Sequence, residues 1–267
     1  MRLSVASASV YAYTGSRPFD RALPTVVFVH GAAHDHSVWA LQSRYFAHHG
    51  RSVVAVDLPG HGRSEGTPLP SVGAIADWVV ALLDALQVER AAVIGHSMGA
   101  LAALDATGRH PGRIAKLALL GPAVPMPVSE TLLDAAKRDD HVAFELINAW
   151  SFSPGDQLGG NRLPGVWMTG NALRLMERSR PGVLYADLLA CQNYSDGLAA
   201  ASAARCPVLV ILGQRDLMAP AKSSAALIAA VGGNALGDRR VITIPDCGHS
   251  LMAEAPDAVL DALRDFL

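Results

Sequence analysis

The sequence has no run approaching about 18 consecutive apolar residues, so it predicts no membrane-spanning helix and no membrane partner. It has no basic surplus either: 22 Lys and Arg face 24 Asp and Glu, a formal net charge of −2. That balance would not neutralise phosphates, and a nucleic-acid partner is not expected. Cysteine is scarce. Cys191, Cys206 and Cys247 are widely spaced and form no CxxC pair. This argues against a disulfide framework or a zinc site and predicts reduced, mostly buried thiols. The opening MRLSVASASVYAYTG lacks the basic start and the roughly 7–15-residue apolar core of a secretory signal. A cytoplasmic location is expected. Charged residues are only 17% of the chain and hydrophobic ones 51%, the reverse of a disordered composition. We find no internal repeat and no low-complexity segment.

What is present is one alternation. TVVFVH (25–30), SVVAVD (52–57), AAVIG (91–95), LALLG (117–121), PVLVILG (207–213) and VITIP (241–245) are nearly continuous apolar runs. Such runs suit strands covered on both faces. Stretches of helical length lie at about 37–49, 73–87, 98–109, 220–231 and 256–266. Strand–helix alternation predicts an α/β fold with a doubly wound, mainly parallel sheet. The opening LSVASASVYAYTG alternates more clearly, as an antiparallel edge hairpin would. With 267 residues, a single core can bury roughly three quarters of the surface that the unfolded chain exposes. The alternation breaks at GPAVPMPV, and helical patterns follow near 129–150, 170–179 and 182–194. We therefore expect a core domain of residues 1–121 and 202–267, with a helical lobe at 122–201 inserted between two strands. The lobe's apolar residues, among them Val124, Met126, Phe144, Ile147, Trp150, Phe152, Trp167 and Leu188, should form its core, any surplus being free to line a pocket.

The chemistry concentrates at loops that follow strands. Gly95-His96-Ser97-Met98-Gly99 follows an apolar run and opens a helical stretch. A serine on so sharp a strand-to-helix turn is strained and exposed above the sheet, and the glycines two residues either side relieve crowding. A hydroxyl needs a base to become a nucleophile, and the base needs an orienting group. His249 follows the last expected strand, and Asp216 follows PVLVILG. Strand carboxyl ends are where open parallel sheets bind ligands, so Ser97, Asp216 and His249 should converge. In these roles His249 takes the serine proton and Asp216 fixes its tautomer. Asp246 is the rival acid, but a side chain three residues away in the same tight loop is poorly placed to reach the far ring nitrogen.

His30-Gly31-Ala32-Ala33-His34 follows the first long strand. Its Ala32 amide and the Met98 amide behind Ser97 are the expected pair of backbone donors for a developing oxyanion. His30, His34 and His36 lack a carboxylate-and-helix setting such as HExxH, so no metal is expected. Arg174, Arg178 and Arg180 read as a solvated helix face rather than a carboxylate-binding patch.

These motifs resemble the α/β-hydrolase superfamily, in particular its small serine hydrolases with a helical cap. The carriers are HGAAHDHSVW (30–39), DLPGHGRS (57–64), GHSMGA (95–100), GQRD (213–216) and PDCGHS (245–250). The resemblance implies Ser97, Asp216 and His249 as triad, Ala32 and Met98 as oxyanion donors, and 122–201 as a cap over the site. It implies no cofactor and a small-molecule substrate. DLPGHGRS resembles a turn that is usually structural. Departures narrow the field. Dehalogenases and epoxide hydrolases of this fold use aspartate where Ser97 stands, and proline iminopeptidases show G-G-S-W-G. Carbon–carbon hydrolases often carry an aromatic where Ser250 stands and Asn where His96 stands. An esterase or lactonase is the expectation, with thioesterase, perhydrolase, carbon–carbon hydrolase and ligand-sensing receptor as alternatives.

Overall fold

The computed structural model describes residues 1–160, 165–231 and 238–267. Its strands are β1 (Arg2–Val5), β2 (Ala8–Tyr13), β3 (Thr25–Val29), β4 (Ser52–Val56), β5 (Ala91–His96), β6 (Ile114–Leu120), β7 (Val208–Gly213) and β8 (Arg239–Ile244). They form one eight-stranded sheet in the order β1-β2-β4-β3-β5-β6-β7-β8. The β1–β2 hairpin joins β4 antiparallel, and every pairing from β4 to β8 is parallel. The apolar runs are continuous because both faces are covered. Along β3, Val27 and Val29 enter one core cluster while Val26 and Phe28 enter the other.

The helices are α1 (Ala40–Ala47), α2 (Val72–Leu86), α3 (Met98–Arg109), α4 (Glu130–Lys137), α5 (Val142–Ser151), α6 (Pro154–Gln157), α7 (Met168–Met176), α8 (Val183–Gln192), α9 (Gly197–Ala203), α10 (Ala225–Val231), α11 (Leu251–Glu254) and α12 (Pro256–Phe266). Ser71 and Ser129 cap α2 and α4 by accepting the Ala74 and Leu132 N–H groups. Buried α3 has small residues because neighbours press on it: a Cβ on Gly108 would lie 2.6 Å from the Ala200 Cα.

Among the described residues, only helices lie between β6 and β7. Leu132, Ala135, Ile147, Met176, Leu184 and Leu188 close a third cluster over Ala33, in the loop after β3. The details differ from the sequence pattern. The 129–150 helix is two helices, broken near Asp139, which holds φ +50. Trp167 is 69% exposed rather than packed inside, and Val124 joins the main core. At the end of the same stretch, α9 places Ala200 and Ala201 in the main core as well. The three cysteines are buried. No helix among the described residues is long and apolar enough to cross a membrane.

Candidate active site

Ser97 joins β5 to α3 with φ +53 and ψ −118, a region that L residues seldom adopt. The chain tolerates it because its neighbours are glycines. A Cβ on Gly95 would sit 2.2 Å from the Gly99 carbonyl oxygen, and one on Gly99 would sit 2.5 Å from the carbonyls of Val29 and His30. Gly31 lets the loop after β3 close on the serine: a Cβ there would lie 3.2 Å from the Ser97 Cβ.

Asp216 and His249 arrive from the ends of β7 and β8. The His249 Nδ1–H donates to Asp216 Oδ2 at 2.7 Å, and Asp216 Oδ1 accepts the Ala219 N–H at 2.7 Å. Both side chains are buried. The rival Asp246 points outward at Arg215, 3.4 Å away, and its side chain is 77% exposed. Ser97 and His249 line one cavity of about 180 Å³. No hydrogen bond joins the serine Oγ to the imidazole, a looseness common where catalytic hydrogen bonds tighten only around substrate.

Two backbone N–H groups near Ser97 lack partners among the described residues. Met98 opens α3, so its N–H has no intrahelical partner. In the loop after β3, the Ala33 N–H is taken by Asp187 Oδ2 at 2.9 Å, and the Ala33 carbonyl accepts the Ser179 hydroxyl at 3.1 Å. The Ala32 N–H makes no hydrogen bond among the described residues.

Four further histidines, His30, His34, His61 and His96, sit in two kinds of environment. His30 donates from Nδ1 to the Gly31 carbonyl and accepts the Leu58 N–H at Nε2, so it is neutral; burial lowers its pKa to about 3. Burial also holds His34 and His96 below the usual imidazole range. His96 donates from Nε2 to the His249 carbonyl at 2.9 Å. His61 is the opposite case. Burial alone would lower its pKa, but Asp187, 2.8 Å from Nε2, outweighs it and raises it. With Pro59 O accepting from Nδ1 at 3.0 Å, both ring nitrogens donate and the ring is a cation. Asp187 thus ties α8 to the DLPGHGRS turn and to the loop beside Ser97.

A second set of contacts holds the His249 loop. The Ser151 carbonyl at the end of α5 accepts both the His249 N–H, at 2.7 Å, and the Ser250 N–H, at 3.0 Å. Buried Glu254 accepts the Gly248 N–H at 3.0 Å and the Ser153 N–H at 2.8 Å. Gly121 after β6 makes room for the ring: a Cβ there would lie 3.0 Å from its Nδ1 and Cε1. None of Gly121, Ser151, Asp187 or Glu254 stands in a motif. Only the glycine directly after a strand could have been suspected.

Asp35, His36 and Asp57 offer ligand atoms within 4.8 Å of one another. Their hydrogen bonds already account for them: Asp57 accepts the His36 N–H, the His36 Nδ1–H and the Arg63 N–H, and Asp35 caps Ser37.

The chain is similar to several known proteins. The chain is 31% identical over 257 residues to a pimeloyl-[acyl-carrier protein] methyl ester esterase of Aromatoleum aromaticum, covering 91% of this chain and 97% of that one. It is 28% identical to the dihydrolipoyllysine-residue acetyltransferase component of the acetoin cleaving system of Pseudomonas putida, of which it spans 63%. The enol-lactonase from Burkholderia xenovorans LB400 superposes with a TM-score of 0.85 at 22% identity, covering 100% of this chain and 99% of that one. The family described as alpha/beta hydrolase fold matches residues 24–256, and the chain belongs to it.

Proposed function

We propose that the protein is a serine hydrolase that cleaves a carboxylic ester or lactone of a small, largely apolar substrate. The observation that carries the reading is the His249–Asp216 hydrogen bond beside Ser97 on its strained turn, with the Ala32 and Met98 amides free. Ser97 Oγ attacks the carbonyl carbon and passes its proton to His249 Nε2. The carbonyl oxygen becomes an oxyanion held by the two amides, each worth about 2.7–4 kcal/mol in the transition state. The tetrahedral intermediate collapses, and the leaving alkoxide takes the proton from His249. Water, deprotonated by His249, then releases the acid from the acyl-serine. The neutral state of His30, His34 and His96 keeps fixed positive charge away from the imidazole that must become a cation.

Met126, Leu132, Ile147, Trp150, Leu188 and Cys191, all from the helical segment, line the cavity. Burial pushes the Cys191 thiol far above its usual pKa, so it is an apolar wall group and no competing nucleophile. In this reading the segment 122–201 is a lid that shapes the acyl or alcohol site.

A fluorophosphonate should label Ser97 once per chain, and Ser97→Ala should abolish both labelling and ester turnover. Native protein that resists the probe, with turnover surviving in Ser97→Ala, would sink the proposal. A panel of p-nitrophenyl esters, lactones, thioesters and vinylogous diketones separates the bond classes. Faster turnover of the diketones than of every ester would move the assignment to carbon–carbon cleavage.

A further inference from the structure

A second cavity of about 570 Å³ opens beside the first, with His34, His96 and Ser250 as a shared wall. It runs between α1, α7 and the start of α12, and its apolar surface includes Leu41, Phe152, Leu175 and Met252. Two features distinguish it from a packing gap. Gln42 lies in its wall wholly buried, and neither its amide oxygen nor its amide nitrogen has a hydrogen-bond partner; His96 Nδ1 is unpartnered as well. Buried polar groups are normally satisfied, so orphaned ones in a cavity wall are a departure from ordinary packing. The charge is also one-sided. Arg174 and Arg178 line the cavity, and among the described residues no acidic one does. Arg174 is paired with Glu177, whereas the Arg178 side chain makes no ion pair or hydrogen bond among the described residues.

We propose that this cavity holds a second arm of the substrate, an apolar chain ending in a carboxylate that Arg178 and Arg174 receive. The inference rests on the ester-hydrolase reading and adds a substrate class to it: esters or lactones with a remote carboxylate. The ester group would lie at the shared wall beside Ser97, one arm in each cavity. Guanidinium groups suit the terminus because their planar donors match a carboxylate in pairs.

The test compares monobutyl half-esters of dicarboxylic acids, over increasing chain length, with the neutral dibutyl esters of the same acids. At the best length the half-ester should show kcat/KM about tenfold higher, the scale of one charge-assisted hydrogen bond. In Arg174→Gln/Arg178→Gln that ratio should fall to about one. A wild-type ratio near one at every length, or a ratio unchanged in the double variant, overturns the proposal. A calorimetric titration of the free dicarboxylate into Ser97→Ala reads the cavity without turnover. Binding that weakens about tenfold when the two arginines are also replaced supports the arm site. Binding indifferent to the arginines refutes it. Diacid binding by a chain that hydrolyses no ester would keep the cavity and remove the esterase reading instead.

Discussion

The His249 imidazole is fixed from several directions by residues with different jobs. Asp216 holds Nδ1, His96 holds the backbone carbonyl, Ser151 accepts the backbone N–H, and Gly121 leaves space for the ring. Asp216→Asn should lower kcat by about 10³–10⁴-fold, the size expected when the tautomer is no longer enforced. Asp246→Asn should change kcat less than about twofold, because that side chain faces solvent and Arg215. Steady-state kinetics on one p-nitrophenyl ester checks both, and a larger loss in Asp246→Asn than in Asp216→Asn would reverse the assignment of the acid. Gly121→Ala is the sharper probe. Its Cβ would press on the ring at 3.0 Å and on Asp216 Oδ2 at 3.5 Å, at a φ of +57 that alanine dislikes. We expect kcat to fall about 10- to 100-fold with little change in KM, as a displaced catalytic group would cause.

At the scale of elements, the loop after β3 and helix α8 behave as one piece. Asp187 accepts the Ala33 N–H and pairs with the His61 cation, so the free Ala32 amide is held in place by a carboxylate on a helix more than 150 positions along the chain. Asp187→Asn keeps an acceptor for Ala33 but leaves the His61 cation unpaired. Removing one partner of a buried pair costs about 3–5 kcal/mol. Urea unfolding below the reference pKa of the imidazole should show that loss. Because the folded pKa of His61 is raised, the pair stabilises fully below the unfolded value, and its contribution fades as pH climbs through the folded one. The gap between wild type and Asp187→Asn should therefore narrow at alkaline pH. A gap that widens there would contradict the pairing.

For the whole molecule, the strand runs, the GHSMG turn and the order Ser97, Asp216, His249 were legible in the sequence because each is local: a periodicity or a few neighbouring residues. The Asp187–His61 pair, the Ser151 carbonyl and the Gly121 clearance were not, because each exists only once distant segments meet. Trp167 misled for a similar reason. Apolar identity predicts burial on average, but whether a neighbour arrives to cover a ring depends on tertiary structure. Glu254 belongs to this scale, since it joins the helical segment to the His249 loop. Burial, with help from the Asp156 carboxylate, raises its pKa to about 7. A carboxyl that holds its proton better folded than unfolded stabilises at low pH and loses that contribution as pH rises from about 4.5 to about 7. Asp156→Asn removes one cause of the shift. Over that window its melting temperature should fall less with pH than that of the wild type, and parallel curves would refute the coupling.

The pair of hydrogen bonds that the Ser151 carbonyl accepts has an engineering consequence. Exchanging the helical insert for one from a relative, to change what the enzyme accepts, would sever the anchor of the imidazole at the same stroke. A chimera that spliced before residue 151 and after residue 153, retaining those three native residues and Glu254, should keep turnover that a cleaner-looking swap would forfeit.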